Sequence, residues 1–183
     1  MKNITFILGS LRKQSFNRQL AAMAEEMLSD RFNINYLEFE DVPLMNQDLE
    51  MDAPSAVKRV REEILATDGI WIFTPEYNYS YPGLLKNLLD WLSRPMDMSN
   101  FTNPSAVVGK KVTISGAGGQ NKTATCRAKL CDLLEFMKMQ VMKEPQTGIA
   151  LGVEAWTKGE FNLTSEQVAQ LKEQAERFAE FLG

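Results

Sequence analysis

The chain has 183 residues, 44% of them hydrophobic and 24% charged, which suits one domain spanning 1–183 with a buried core. A net charge of −4 without a basic cluster argues against a nucleic-acid partner. No apolar run approaches the roughly 20 residues of a membrane span, so no membrane partner is expected. Histidine is absent, which excludes Ser/His and Cys/His nucleophilic catalysis and most zinc sites. Redox or group-transfer chemistry therefore falls to carboxylates or to a bound cofactor, and no metal centre is expected.

Lys2 to Leu8 is short, apolar and β-branched and reads as a buried strand, not as a signal peptide, so a cytoplasmic location is expected. Leu20, Met23, Ala24, Met27 and Leu28 recur at helical spacing within a helix over 15–29. Phe32 to Leu37 alternates as a second strand, Ala53 to Ala66 is amphipathic, and Gly69 to Thr74 is a third strand. Pro82 opens a helix to Leu92, a position that tolerates proline because its missing N–H would be unpaired anyway. Lys111 to Ser115 is the fourth strand and Thr123 to Met139 a long helix. Cys126 and Cys131 fall on that helix as small packing residues rather than as a metal pair or a disulfide. Val141 to Lys143 and Ile149 to Leu151 are pieces of a fifth strand. Leu163 to Leu182 closes the chain as a helix, with Thr164 and Gln167 at capping-box spacing.

Strands alternating with helices predict a three-layer α/β sandwich around a five-stranded parallel sheet. The expected strand order is 2-1-3-4-5, flavodoxin-like, with ligands beyond the carboxyl ends of the strands where strands 1 and 3 diverge. The loops after strands 1, 3 and 4 are the candidates.

The first loop is Gly9-Ser10-Leu11-Arg12-Lys13-Gln14-Ser15-Phe16-Asn17. Ser10 and Ser15 bring hydroxyls, Asn17 an amide, Arg12 a fork of donors that matches phosphate, and the following helix its free N–H groups. The segment lacks the Lys-Ser/Thr ending of a triphosphate loop and the three glycines of a dinucleotide fold, so it reads as a cradle for one phosphate monoester. The blander alternative is an N-capped helix beside a solvated arginine. The second loop, Thr74-Pro75-Glu76-Tyr77-Asn78-Tyr79-Ser80-Tyr81-Pro82-Gly83, is stiffened by two prolines and offers aromatic surface to a planar heterocycle, or else is an ordinary turn over core tyrosines. Glu76 suits an acceptor that orders this loop better than a general acid. Ser115-Gly116-Ala117-Gly118-Gly119-Gln120-Asn121 reads as a short glycine-rich loop whose backbone can approach a flat ring.

GSLRKQSFN at 9–17, PEYNYSYPGLLKNLLDW at 75–91 and SGAGG at 115–119 together resemble the NADPH-dependent FMN reductase family, which includes quinone, azo-dye and chromate reductases. The resemblance runs from the first strand to the helix after the fourth; the last forty or so residues match in general pattern alone. It implies FMN as cofactor, NADPH or NADH as reductant and a small-molecule electron acceptor. Ser10, Arg12, Ser15, Asn17 and the backbone of Phe16 would hold the flavin phosphate. Pro75, Glu76, Tyr77 and Asn78 would line the ring and ribityl chain, and Ser115, Gly116, Gly118 and Gly119 the far edge of the ring. The family implies a homodimer or a homotetramer. Hydride transfer by the flavin needs no catalytic side chain, with Tyr77 and Glu76 the candidate helpers. The rival is a flavodoxin-type electron carrier, disfavoured by the charge of Arg12 and the mild acidity of the chain. Arg94 to Pro104, polar and proline-bounded, has no family counterpart and is expected to be a lid or an interface element.

Overall fold

A computed structural model describes residues 1–183. β1 (Lys2–Leu8), β2 (Phe32–Tyr36), β3 (Gly69–Phe73) and β4 (Lys111–Gly118) lie in the order β2-β1-β3-β4, all parallel. The fifth position is filled in two pieces, β5 (Gln140–Val141) beside the start of β4 and β6 (Gly148–Ala150) beside its end. The flavodoxin-like order 2-1-3-4-5 is therefore the order observed. α1 (Phe16–Leu28), α2 (Ser55–Leu65), α3 (Gly83–Leu92), α4 (Ala124–Phe136) and α6 (Ser165–Leu182) match the expected helices within a few residues. A 3-10 turn (Gln47–Leu49) and the short α5 (Val153–Lys158) were not expected, because each is too brief to show a period.

The central strands β1, β3 and β4 are buried on both faces over most of their length, and their alternation divides the core in two. Ile7, Ile70, Ile72, Val112 and Ile114 face α2, α3 and α4. Ile4, Phe6, Leu8, Trp71, Phe73 and Ala117 face α1 and α6. On that second face Thr113 and Ser115 are completely buried, where an unpaired hydroxyl would be costly. Gln174 of α6 satisfies both: its amide donates to Thr113 Oγ1 at 2.8 Å and accepts from Ser115 Oγ at 2.8 Å. Trp71 Nε1 donates to Ser115 Oγ at 3.0 Å, so β3, β4 and α6 share one buried network.

Two expectations are corrected here. Ser115 to Gly118 belong to β4 rather than to a loop, because Gly148–Ala150 pair with Gly116–Gly118 and carry the sheet three residues further. The loop Arg94 to Pro104 is not a lid over the cleft of its own chain. α3 runs antiparallel to the strands for ten residues, about 15 Å, and delivers this loop to the amino-terminal edge of the sheet. The loop is closed at its base by Met96 N donating to Pro104 O at 3.2 Å. Lys110, just beyond it, donates to Leu65 O and Thr67 O, where α2 ends and β3 begins.

Candidate functional site

The loops after β1, β3 and β4 meet at the carboxyl end of the sheet. Gly9 N donates to Phe73 O at 2.8 Å, and a Cβ on Gly9 would stand 2.7 Å from Thr74 Oγ1, so the first loop can leave the sheet this closely with glycine alone. Ser15 caps α1, its Oγ accepting from Asn17 N at 3.2 Å. The N–H groups of Lys13, Gln14 and Phe16 serve no backbone carbonyl. Ser10 Oγ accepts from Arg12 N at 3.4 Å. The Arg12 guanidinium is exposed, has no carboxylate within ion-pair distance and lies 4.7 Å from the centroid of the Phe16 ring. Free N–H groups at a helix start beside an uncompensated guanidinium fit a phosphate dianion. A cavity of about 800 Å³ on the other flank of β1 shares Ser10 and Leu11 with this loop, but there Glu38, Glu40, Asp41 and Glu63 outnumber Arg18 and Arg59, and Arg59 is already paired with Asp41 and Glu63, which disfavours a dianion.

Asn17 differs from its expected role. Its side chain is buried, donates to Ala117 O at 3.1 Å and accepts from Ala117 N at 2.8 Å. β4 outruns β3, which leaves the backbone of Ala117 without a strand on its β3 side, β6 lying on the other; the carboxamide, a peptide-group mimic, pairs with it there instead. Asn17 thus fastens the loop after β1 to β4, and its amide is not free for a ligand.

The loop after β3 turns through Asn78 and Tyr79, both at positive φ, with Tyr77 and Ser80 exchanging backbone hydrogen bonds at 2.9 and 3.0 Å. Such a turn is strained for tyrosine and persists where its surroundings hold it. Lys129 of α4 donates to Tyr79 O at 2.8 Å. Tyr77 and Tyr79 are 55% and 69% exposed, unlike core tyrosines. Glu76 reaches across to α4: Oε1 accepts from Asn121 Nδ2 at 2.6 Å and Oε2 from Cys126 N at 2.8 Å. Thr123, at the start of α4, is left-handed and makes no side-chain cap, so Glu76 supplies the cap from fifty residues upstream. A Glu76→Ala variant is expected to lose about 1–2 kcal/mol of stability, the scale of a cap with a charged acceptor. Urea unfolding checks this; an unchanged midpoint would mean that α4 is capped by something else.

Beyond β4, Ser115 is committed to Trp71 and Gln174 and its side chain does not reach the cleft. Gly116 and Gly118 also serve packing: a Cβ would collide with Thr123 Oγ1 at the first and stand 2.8 Å from Thr123 Cγ2 at the second. At Gly119 nothing lies within 4 Å of such a Cβ, and here the backbone is open to an approaching ring. Asn121 and Cys126 tie the loop after β3 to the start of α4 through Glu76, and nothing in the sequence marks a residue whose partner is about fifty positions away. Burial pushes the Cys126 thiol up to about 12, so it is not a thiolate nucleophile.

The cleft therefore combines a phosphate cradle, a stiff tyrosine-bearing turn and an open glycine. The chemistry of these groups, exposed donors beside a stiff aromatic turn and an open backbone, fits a phosphate monoester joined to a planar ring, as in a flavin mononucleotide. The chain matches the model of the NADPH-dependent FMN reductase family over residues 2–154. It is 36% identical over 144 residues to a 2-hydroxy-1,4-benzoquinone reductase of Burkholderia sp, covering 78% of this chain and 75% of that protein. It is 35% identical over 146 residues to a quinone reductase of Escherichia coli strain K12, covering 78% and 74%. Among solved structures, FerB of Paracoccus denitrificans, a flavoenzyme NAD(P)H:(acceptor) oxidoreductase, superposes with a TM-score of 0.84 at 31% identity, over 100% of this chain and 97% of that one. A short-chain flavodoxin at 12% identity and a TM-score of 0.63 shares the fold. The chain belongs to the NADPH-dependent FMN reductase family.

Proposed function

We propose that this protein is an FMN-dependent NAD(P)H oxidoreductase that passes electrons from a nicotinamide cofactor to a small acceptor of the quinone class. The observation that carries this reading is the uncompensated Arg12 guanidinium beside the free N–H groups of the α1 start, at the end of β1. Relatives named as quinone reductases support the acceptor class.

Bound flavin supplies the two-electron redox chemistry, which suits a chain without histidine. The protein's part is placement. Arg12, Ser10 and Ser15 hold the phosphate and the α1 start adds its dipole. Pro75 and the Tyr77–Ser80 turn form a rigid wall, held by Glu76 and Lys129, against which a planar ring system is oriented. Both oxygens of Glu76 are occupied as acceptors, so it positions the wall rather than moving a proton. NADPH or NADH serves as reductant. The protein is a single cytoplasmic domain acting as a homodimer; no helix in it is long and apolar enough to cross a membrane.

The test is direct. Purified protein is expected to show flavin absorption and to oxidise NADPH or NADH with a quinone, without an added reductase. Bound flavin without turnover would favour an electron carrier. Arg12→Ala is expected to weaken FMN binding by about 1–3 kcal/mol, roughly 5- to 150-fold in Kd. A variant that retains FMN at wild-type affinity would remove Arg12 from the phosphate site.

A further inference from the structure

We infer that Phe161 is a positioning residue for the phosphate site, acting on Arg12 through Phe16. The inference rests on the flavin reading above. Phe161 lies between α5 and α6, beyond residue 154 where the match to the family model ends. Its ring stacks on Phe16, with centroids 5.5 Å apart and planes at 29°. The Arg12 guanidinium lies over the same Phe16 ring, 4.7 Å from its centroid. Arg12, Phe16 and Phe161 are thus joined through the Phe16 ring.

Three observations give the arrangement its meaning. The Arg12 side chain makes no hydrogen bond and no ion pair, so the Phe16 ring is the contact that orients it. An arginine on an exposed loop otherwise loses rotamer freedom when a ligand orders it, and that loss weakens binding. Phe16, as the first residue of α1, has a backbone N–H that serves no backbone carbonyl, so the residue that seats the arginine also presents a donor at the helix start. Phe161 is buried among the core residues on the α1 and α6 side of the sheet, so it backs the Phe16 ring from within the fold. A cation over an aromatic ring at an exposed site contributes modestly, and its use here is to hold the guanidinium over the α1 start before the phosphate arrives.

The experiment titrates the full-length chain, freed of flavin, with FMN and in parallel with riboflavin, which lacks the phosphate. Phe161→Ala is expected to weaken FMN by about 2- to 5-fold, the scale of an exposed cation–π contact, and to leave riboflavin within error of the wild type. Phe161→Leu, which keeps apolar volume without a ring, is expected to show the same selective loss even if the alanine variant folds poorly. Phe161→Tyr keeps the ring and is expected to restore FMN affinity. In an Arg12→Ala background Phe161→Leu is expected to have no further effect on FMN. Equal weakening of FMN and riboflavin, or a full additional loss in the Arg12→Ala background, would overturn the inference by making Phe161 a packing residue alone. A leucine variant that binds FMN as the wild type does would overturn it as well. A wild-type chain that bound neither ligand would overturn the flavin reading itself, and the inference with it.

Discussion

Replacing Asn17 by aspartate is expected to destabilise the protein by about 3 kcal/mol at neutral pH. The wild-type carboxamide satisfies both backbone groups of Ala117 in a buried position, one bond in each direction. Aspartate keeps the oxygen that accepts from Ala117 N, but it sets a second, charged oxygen against Ala117 O. The result is one orphaned carbonyl and one buried like-polarity contact, each worth roughly 1–3 kcal/mol. Protonation of the new carboxyl restores a donor toward that carbonyl, so its pKa in the folded state is raised above the value near 3.9 of an unfolded chain. The deficit relative to wild type is therefore smallest below about pH 4 and grows as pH rises through the raised folded-state value. Urea unfolding of both proteins at several pH values measures it. A deficit that is flat with pH, or smaller than about 1 kcal/mol, would mean that the Asn17–Ala117 pair does not hold the loop. The same variant is expected to bind FMN more weakly, because the phosphate loop loses its fastening to β4.

The second large effect lies away from the cleft. Glu50→Ala is expected to cost about 3 kcal/mol. Glu50 follows the 3-10 turn and is 7% exposed. One carboxylate oxygen accepts from the terminal nitrogen of Arg94 at 3.0 Å, and the other lies 2.7 Å from Arg94 Nε as an ion-pair contact. Arg61 of α2 is buried nearby, donates to Trp91 O at 3.1 Å, and is depressed from its ordinary pKa by burial, with Glu50 opposing that shift. Removing the carboxylate leaves Arg94 without its ion-pair partner and takes away the charge that offsets the burial of Arg61, and breaking a buried pair in this way costs about 3–5 kcal/mol. The lower end applies because Arg94 is 31% exposed. Glu50→Gln keeps acceptor geometry without charge and is expected to fall between. An alanine variant within 1 kcal/mol of wild type in urea would show that solvent compensates both arginines. Arg94 opens the loop at the amino-terminal edge of the sheet, so the loss is expected in stability rather than in flavin affinity.

Much of the fold was legible because its signals are local. Gly69–Phe73 is an unbroken apolar run, as a central parallel strand must be, and the helices carry an apolar stripe at their own period. The capping box at Thr164 and Gln167 is present, since both partners lie within one turn. The end of β4 was not legible. Gly116-Ala117-Gly118 looks like a turn because glycine favours turns, whereas here glycine is required by the side chain of Thr123 packed against the strand. The lid reading of 94–104 failed for a similar reason: polarity marks a loop but not the end of the sheet at which it emerges.

At the site, the sequence by itself determined the donor chemistry: Arg12, the serines and a helix start following a strand, in a chain whose lack of histidine leaves redox work to a cofactor. The tertiary structure alone decided which of those groups are free. Arg12 has no internal anion, while the amide of Asn17 and the hydroxyl of Ser115 are consumed by backbone and side-chain groups one hundred and about sixty residues away. The physical reason is that a buried polar group must find a partner wherever the fold brings one, and sequence distance says nothing about where that will be. The donor-rich loop after β1 is thus readable from its own nine residues, but the fastenings that hold it, Asn17 to β4 and Phe16 to Phe161, exist only once the sheet has closed.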